Sequence, residues 1–109
     1  MSREPYHVAW TNTARGDLAK ILAYIATDSG KQANKVYHDL KQKTALLKDM
    51  PSQGRIVPEL EYFGILTYRE LISPPWRIMY KTEGNTVFIL AVIDGRRNVE
   101  DILLNRFIP

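Results

Sequence analysis

Apolar and polar positions change their repeat several times along this chain, and each change marks an element. Tyr6-His7-Val8-Ala9-Trp10 alternates as a strand does, between Pro5 and the polar Thr11-Asn12-Thr13. That polar cluster offers N-caps for a helix whose apolar stripe is Ala14, Leu18, Ile21, Leu22 and Ile25. Gly16 inside it costs about 1 kcal/mol against alanine. Asp28-Ser29-Gly30 stops this helix and starts a turn. A second helical stripe follows at Ala33, Val36, Tyr37, Leu40, Thr44 and Leu47, with most lysines off it, and Pro51 closes it. So short a link makes the two helices antiparallel neighbours.

Residues Ser52 to Gly64 read as irregular. Three strands are then expected, Ile65 to Leu71, Trp76 to Lys81 and Thr86 to Ile93, joined by Ser73-Pro74-Pro75 and Glu83-Gly84-Asn85. Both links are of hairpin length, which predicts an antiparallel meander. The last strand is apolar at both parities and should be central, with cover on both faces. The opening strand is expected to join the sheet beside it. Asn98 can cap a final helix with Val99, Ile102, Leu103 and Phe107 on one stripe. The expected fold is α+β in the order β-α-α-β-β-β-α, an antiparallel-meander sheet with the helical hairpin packed on one face.

At 109 residues the chain is expected to form one domain over 1–109. Its hydrophobic (45%) and charged (25%) shares are those of an ordinary globular protein, so neither disorder nor a fibrous class needs considering. The start of the chain is polar, and no run is long enough to cross a bilayer. With no cysteine there is no disulfide framework or thiolate chemistry, and a cytoplasmic location is expected. The net charge of +3 is compatible with a nucleic acid or an acidic protein as partner.

Candidate chemistry is sparse. His7 and His38 lack neighbours at metal-ligand spacing and read as surface or half-buried histidines, so no metal is expected. No glycine-rich phosphate loop or nucleophile elbow occurs, so no cofactor is expected either. Arginines remain: Arg55 after Gly54, Arg69 and Arg77 on adjacent meander strands, and Arg96 and Arg97 after the last strand. Such a set can grip phosphates or a partner's carboxylates bidentately. The competing reading is cross-strand ion pairing with Glu70, Glu59, Glu61 and Asp94. Tyr68, Trp76 and Tyr80 read as sheet packing rather than base-stacking platforms.

Several short strings, in order, resemble the RelE/ParE superfamily of bacterial toxins. They are Trp10, Ala14, Asp17-Leu18 and Tyr24-Ile25; Leu47, Pro51 and Gly54-Arg55; Tyr68-Arg69-Glu70-Leu71; Trp76-Arg77-Ile78-Met79-Tyr80; and Val92-Ile93-Asp94-Gly95-Arg96-Arg97. The resemblance implies the toxin of a type II toxin–antitoxin module, neutralised by an antitoxin whose flexible segment wraps it. Leu18, Leu22, Tyr37, Leu40 and Trp76 are then expected to bind that segment.

The superfamily has two branches. The RelE-like branch consists of ribosome-dependent mRNA ribonucleases. Their pattern places Arg77 on its strand arginine and Arg97 on the arginine after the last strand, but Tyr68 and Glu70 stand where two lysines belong, and Leu103 near the tail tyrosine. The ParE-like branch poisons DNA gyrase by binding. With the scaffold and arginines kept and the acid–base set missing, the resemblance implies the gyrase-binding branch, with no catalytic residue. The ribosome and its mRNA are the alternative target, and a homologue that only binds its antitoxin is the second alternative. A target- or phosphate-binding set of Arg55, Arg69, Arg77, Arg96 and Arg97 goes with this reading.

Overall fold

The computed structural model describes residues 4–107. Its elements are β1 (His7–Trp10), α1 (Asn12–Ala26), α2 (Gly30–Ala45) with a 3-10 turn at Leu46–Lys48, β2 (Arg55–Ile56), α3 (Pro58–Glu61), β3 (Arg69–Ser73), β4 (Trp76–Glu83), β5 (Thr86–Asp94) and α4 (Val99–Phe107). The strand order is β1-β5-β4-β3-β2. β3, β4 and β5 form the expected meander, and β1 joins β5 in parallel.

Local chemistry starts and stops these elements. The Thr11 hydroxyl accepts the Ala14 N–H at 3.2 Å and donates to the Ile89 carbonyl at 2.8 Å, so one side chain caps α1 and ties it to β5. Ser29 caps α2 through the Gln32 N–H at 3.0 Å, and Asn98 caps α4 through the Asp101 N–H at 3.2 Å. Gly84 takes a φ of 60° in the two-residue β4–β5 turn, where a side chain would be strained.

The α1–α2 hairpin covers one sheet face, burying Leu18, Leu40, Leu47, Leu71, Ile78, Tyr80, Val87, Ile89 and Val92. The other face carries α3 and α4 over Val57, Leu60, Met79, Ala91, Ile93, Val99 and Leu103. β5 serves both layers by ordinary alternation, and its register with β4 shifts at Met79/Tyr80: Met79 faces Ala91 and Tyr80 faces Ile89, leaving Leu90 as an extra residue. The bulge inverts the alternation. Val87 and Ile89 point to the hairpin before it. After it, Val92 does so while Ala91 and Ile93 point to α4.

The stretch Ser52–Gly64 departs from the expected irregular loop, since it supplies β2 and α3. The first meander strand also starts later than expected, at Arg69 rather than Ile65. The Ile65 N–H is taken by the Leu60 carbonyl in the turn closing α3, so its backbone serves that turn instead of a ladder. Its apolar side chain, like that of Tyr68, packs under α4, which explains the strand-like pattern. The order is therefore β-α-α-β-α-β-β-β-α. Among the described residues no helix is long and apolar enough to cross a membrane, and no cluster of three potential metal ligands occurs.

Candidate functional site

Antiparallel pairing sets Arg55 opposite Glu70 and Glu70 opposite Met79, so Arg55, Glu70 and Arg77 lie on the α3/α4 face of the sheet. The Glu70 side chain is 0% exposed and sits between two cations. It accepts from Arg77 Nε at 2.7 Å and Nη2 at 2.9 Å, and from Arg55 Nε at 2.7 Å. From above, Glu59 on α3 meets Arg77 Nη1 and Nη2, both at 2.7 Å. These bonds hold the Glu59 carboxyl below its ordinary range, and Glu59, with Glu70 next, raises the Arg77 guanidinium although burial opposes the charge. Every buried side-chain polar atom among the described residues has a partner. The cluster is a chain of two carboxylates and two guanidiniums, Glu59–Arg77–Glu70–Arg55, with Arg55 at its solvent-open end.

The remaining arginines are dispersed. Arg69 turns to the hairpin face, opposite Tyr80, and donates to the Gly54 carbonyl at 2.7 Å. Gly54 lies tight against Tyr80, whose hydroxyl accepts the Gly54 N–H at 2.9 Å and donates to the Pro51 carbonyl at 2.7 Å. A Cβ on Gly54 would come within 2.6 Å of both that hydroxyl and the Glu70 carbonyl oxygen. Arg96 grips Asp94 at 2.7 and 2.9 Å, which lowers the Asp94 carboxyl and raises the guanidinium. The Arg97 guanidinium has no ion pair among the described residues and borders a hollow with Lys20.

The five arginines do not converge on one site. Arg55 and Arg77 share Glu70, Arg69 faces the other layer, and Arg96 and Arg97 lie beyond the end of β5. Arg77 is 9% exposed, with four of its N–H···O bonds given to two carboxylates. A phosphate could reach it only by breaking those ion pairs. The ion-pair reading describes Arg55, Arg77 and Arg96 better than the gripping one. The expected antitoxin contacts also divide. Leu18 and Leu40 belong to the core, Leu22 and Trp76 are half-buried against it, and Tyr37 is open to solvent. The first two are removed from any surface because α1 and α2 spend them on the sheet.

Sequence reasoning named Glu59 as an ion-pair partner but gave no site role to Asp17 or Arg106. Asp17 joins α1 to both β5 and α4, accepting the Val92 N–H at 3.0 Å and pairing with Arg106 at 2.7 and 2.9 Å. Its one sequence signal is a lone acid beside Leu18 in an apolar helix stripe.

A family model of the ParE toxin of type II toxin–antitoxin systems, parDE, matches residues 8–99, from β1 to the first residue of α4. The chain belongs to the ParE toxin family. It is 28% identical over 90 residues to Toxin ParE3 of Caulobacter vibrioides, covering 82% of this chain and 86% of that one. Among solved structures, a chain of the chromosomal ParDE TA system from P. aeruginosa shares its fold at a TM-score of 0.70 and 21% identity, covering 82% of this chain and 95% of that one. These matches place the superfamily resemblance on its ParE side.

Proposed function

We propose that this ParE-family chain is a growth-inhibiting toxin that acts in the cytoplasm by binding DNA gyrase, and that a cognate antitoxin holds it in check. The observation that carries this reading is the Glu59–Arg77–Glu70–Arg55 cluster. RNA scission by 2′-hydroxyl attack needs a base, an acid and cations free to meet developing phosphorane charge. At the strand positions that the resemblance assigns to those groups, Glu70 stands where a lysine belongs and neutralises the strand arginine. A buried, pre-paired arginine is poor material for stabilising a transition state, and here it serves to fix α3 on the sheet. The antitoxin partner is supported by the family match and by exposed apolar side chains along the hairpin and the β3 edge, namely Tyr24, Tyr37, Leu46, Met50 and Ile72.

The test is induction in a bacterium, with DNA and messages followed separately. Gyrase–DNA cleavage complexes alongside intact mRNA are expected. Cleavage of translated mRNA at the ribosomal A site overturns the gyrase reading in favour of the nuclease. Absence of growth arrest leaves only antitoxin binding.

A further inference from the structure

β1 pairs with only the first half of β5. Its register ends at Trp10 opposite Ile89, and the Thr11 N–H closes the ladder on the Ile89 carbonyl at 3.0 Å. From Leu90 to Asp94, β5 has β4 on one side and no strand on the other. This half-edge lies between α1 and α4, and two hollows run end to end along it. The first is bordered by Thr11, Thr13, Leu90 and Phe107, the second by Lys20, Ile21, Val92, Arg97 and Ile102. Arg106 and Asp17 border the second hollow, Arg106 borders both, and their bidentate pair spans the groove between them. The same Asp17 carboxylate occupies the outward Val92 N–H.

We infer that this groove is a strand-addition site for an extended, acidic segment of the antitoxin, and that the Asp17–Arg106 bridge is a strap the segment displaces. The inference rests on the antitoxin reading above. An unpaired strand edge is a template for another chain, and Val92 offers its carbonyl on the same outer side as its N–H. Ile21 and Ile102 give the groove apolar walls. Lys20 and Arg97 have no ion pairs among the described residues, and Asp94 is already held by Arg96. Once Asp17 swings away, Arg106, Lys20 and Arg97 all face the incoming chain, so its side chain opposite Val92 should be a glutamate or aspartate. A second copy of this chain suits the groove poorly. The open end of β3 has its Ile72 carbonyl covered by the Lys43 ammonium, which would bring another cation. Arg106 lies beyond the residues that match the family model, so the strap is not part of the matched core.

The experiment uses the full chain co-expressed with the product of the adjoining reading frame. Amide hydrogen exchange across 88–95 is followed in the free chain and in the complex, and the affinity of Asp17→Asn is compared with that of the parent. Exchange at 88–95 is expected to slow at least tenfold. Asp17→Asn keeps an oxygen for Val92 but loosens the strap, and is expected to tighten the complex at least threefold. A complex that forms while 88–95 exchange is unchanged, or that Asp17→Asn weakens, overturns the groove assignment and leaves the antitoxin reading standing. If the adjoining product forms no complex, the antitoxin reading falls and this inference falls with it.

Discussion

Arg77 and Glu59 meet through two parallel N–H···O bonds of 2.7 Å each, one from each terminal nitrogen of the guanidinium. The pair pins the four-residue α3 onto the sheet, and Glu70 beneath completes the clamp. Removing one partner leaves a charge stranded in the interior. Glu70→Ala is expected to cost about 3–5 kcal/mol in a urea unfolding curve. The paired replacement Glu70→Leu with Arg77→Met should recover part of that loss, because the two charges it frees, Glu59 and Arg55, are partly open to solvent. A double variant as unstable as the single one would mean the cluster is worth more than apolar packing at the same place.

Glu59 also sets an acid limit. Its folded-state pKa lies below the unfolded value, so its contribution is fully present above about pH 4.5 and is lost as pH falls through the folded value. The melting temperature should therefore decline below about pH 4.5, and Glu59→Gln should show a shallower decline over the same window. Parallel pH profiles for the two proteins would remove Glu59 from the acid response.

Gly54 and Tyr80 form a second joint, on the hairpin side. Tyr80→Phe removes a donor to Pro51 and leaves the Gly54 N–H without its acceptor, at an expected cost of about 1–3 kcal/mol. Gly54→Ala forces a Cβ against backbone and should cost at least about 1–3 kcal/mol by overpacking. Burial raises the Tyr80 phenol above its ordinary 10.0, so its neutral form stabilises the fold fully below that pH and progressively less above it. Melting curves in alkaline buffer should show a loss for the parent that Tyr80→Phe lacks.

Arg97 separates function from folding. Its guanidinium supports no ion pair among the described residues, so Arg97→Ala should unfold within about 0.5 kcal/mol of the parent. On the gyrase-binding reading it should nevertheless weaken growth arrest, whereas Arg77→Ala should lose arrest together with stability. Full toxicity in a folded Arg97→Ala protein would exclude this arginine from the target contact.

Much of the fold was legible because periodicity reports burial directly. The hairpin, the meander and the two-sided cover of β5 all follow from where apolar residues recur, and the Thr11-Asn12-Thr13 cluster and Asn98 mark helix starts by their hydroxyl and amide chemistry, whereas Ser29 read only as a turn residue and turned out to cap α2. Ile65 and Tyr68 misled for the same reason, since packing under α4 imitates a strand pattern without a ladder. The site was harder to read. Whether an arginine projects to a partner or joins an internal ion-pair cluster depends on register, and a shift of one residue moves Glu70 to the other face. Leu18 and Leu40 show the same ambiguity: an apolar helix position looks alike whether its own sheet or a foreign segment covers it.

The supernumerary Leu90 has a consequence for chain length in β5. It acts as a phase switch, so that one strand is read in two frames by the layers above and below. Deleting that single residue would remove the bulge and leave plain alternation, with Ile89 and Val92 still toward the hairpin and Ala91 and Ile93 still toward α4. A one-codon loss at Leu90 would therefore straighten the strand and keep both layers, whereas a one-residue change of length with no bulge to absorb it would exchange the inside and outside of half a strand.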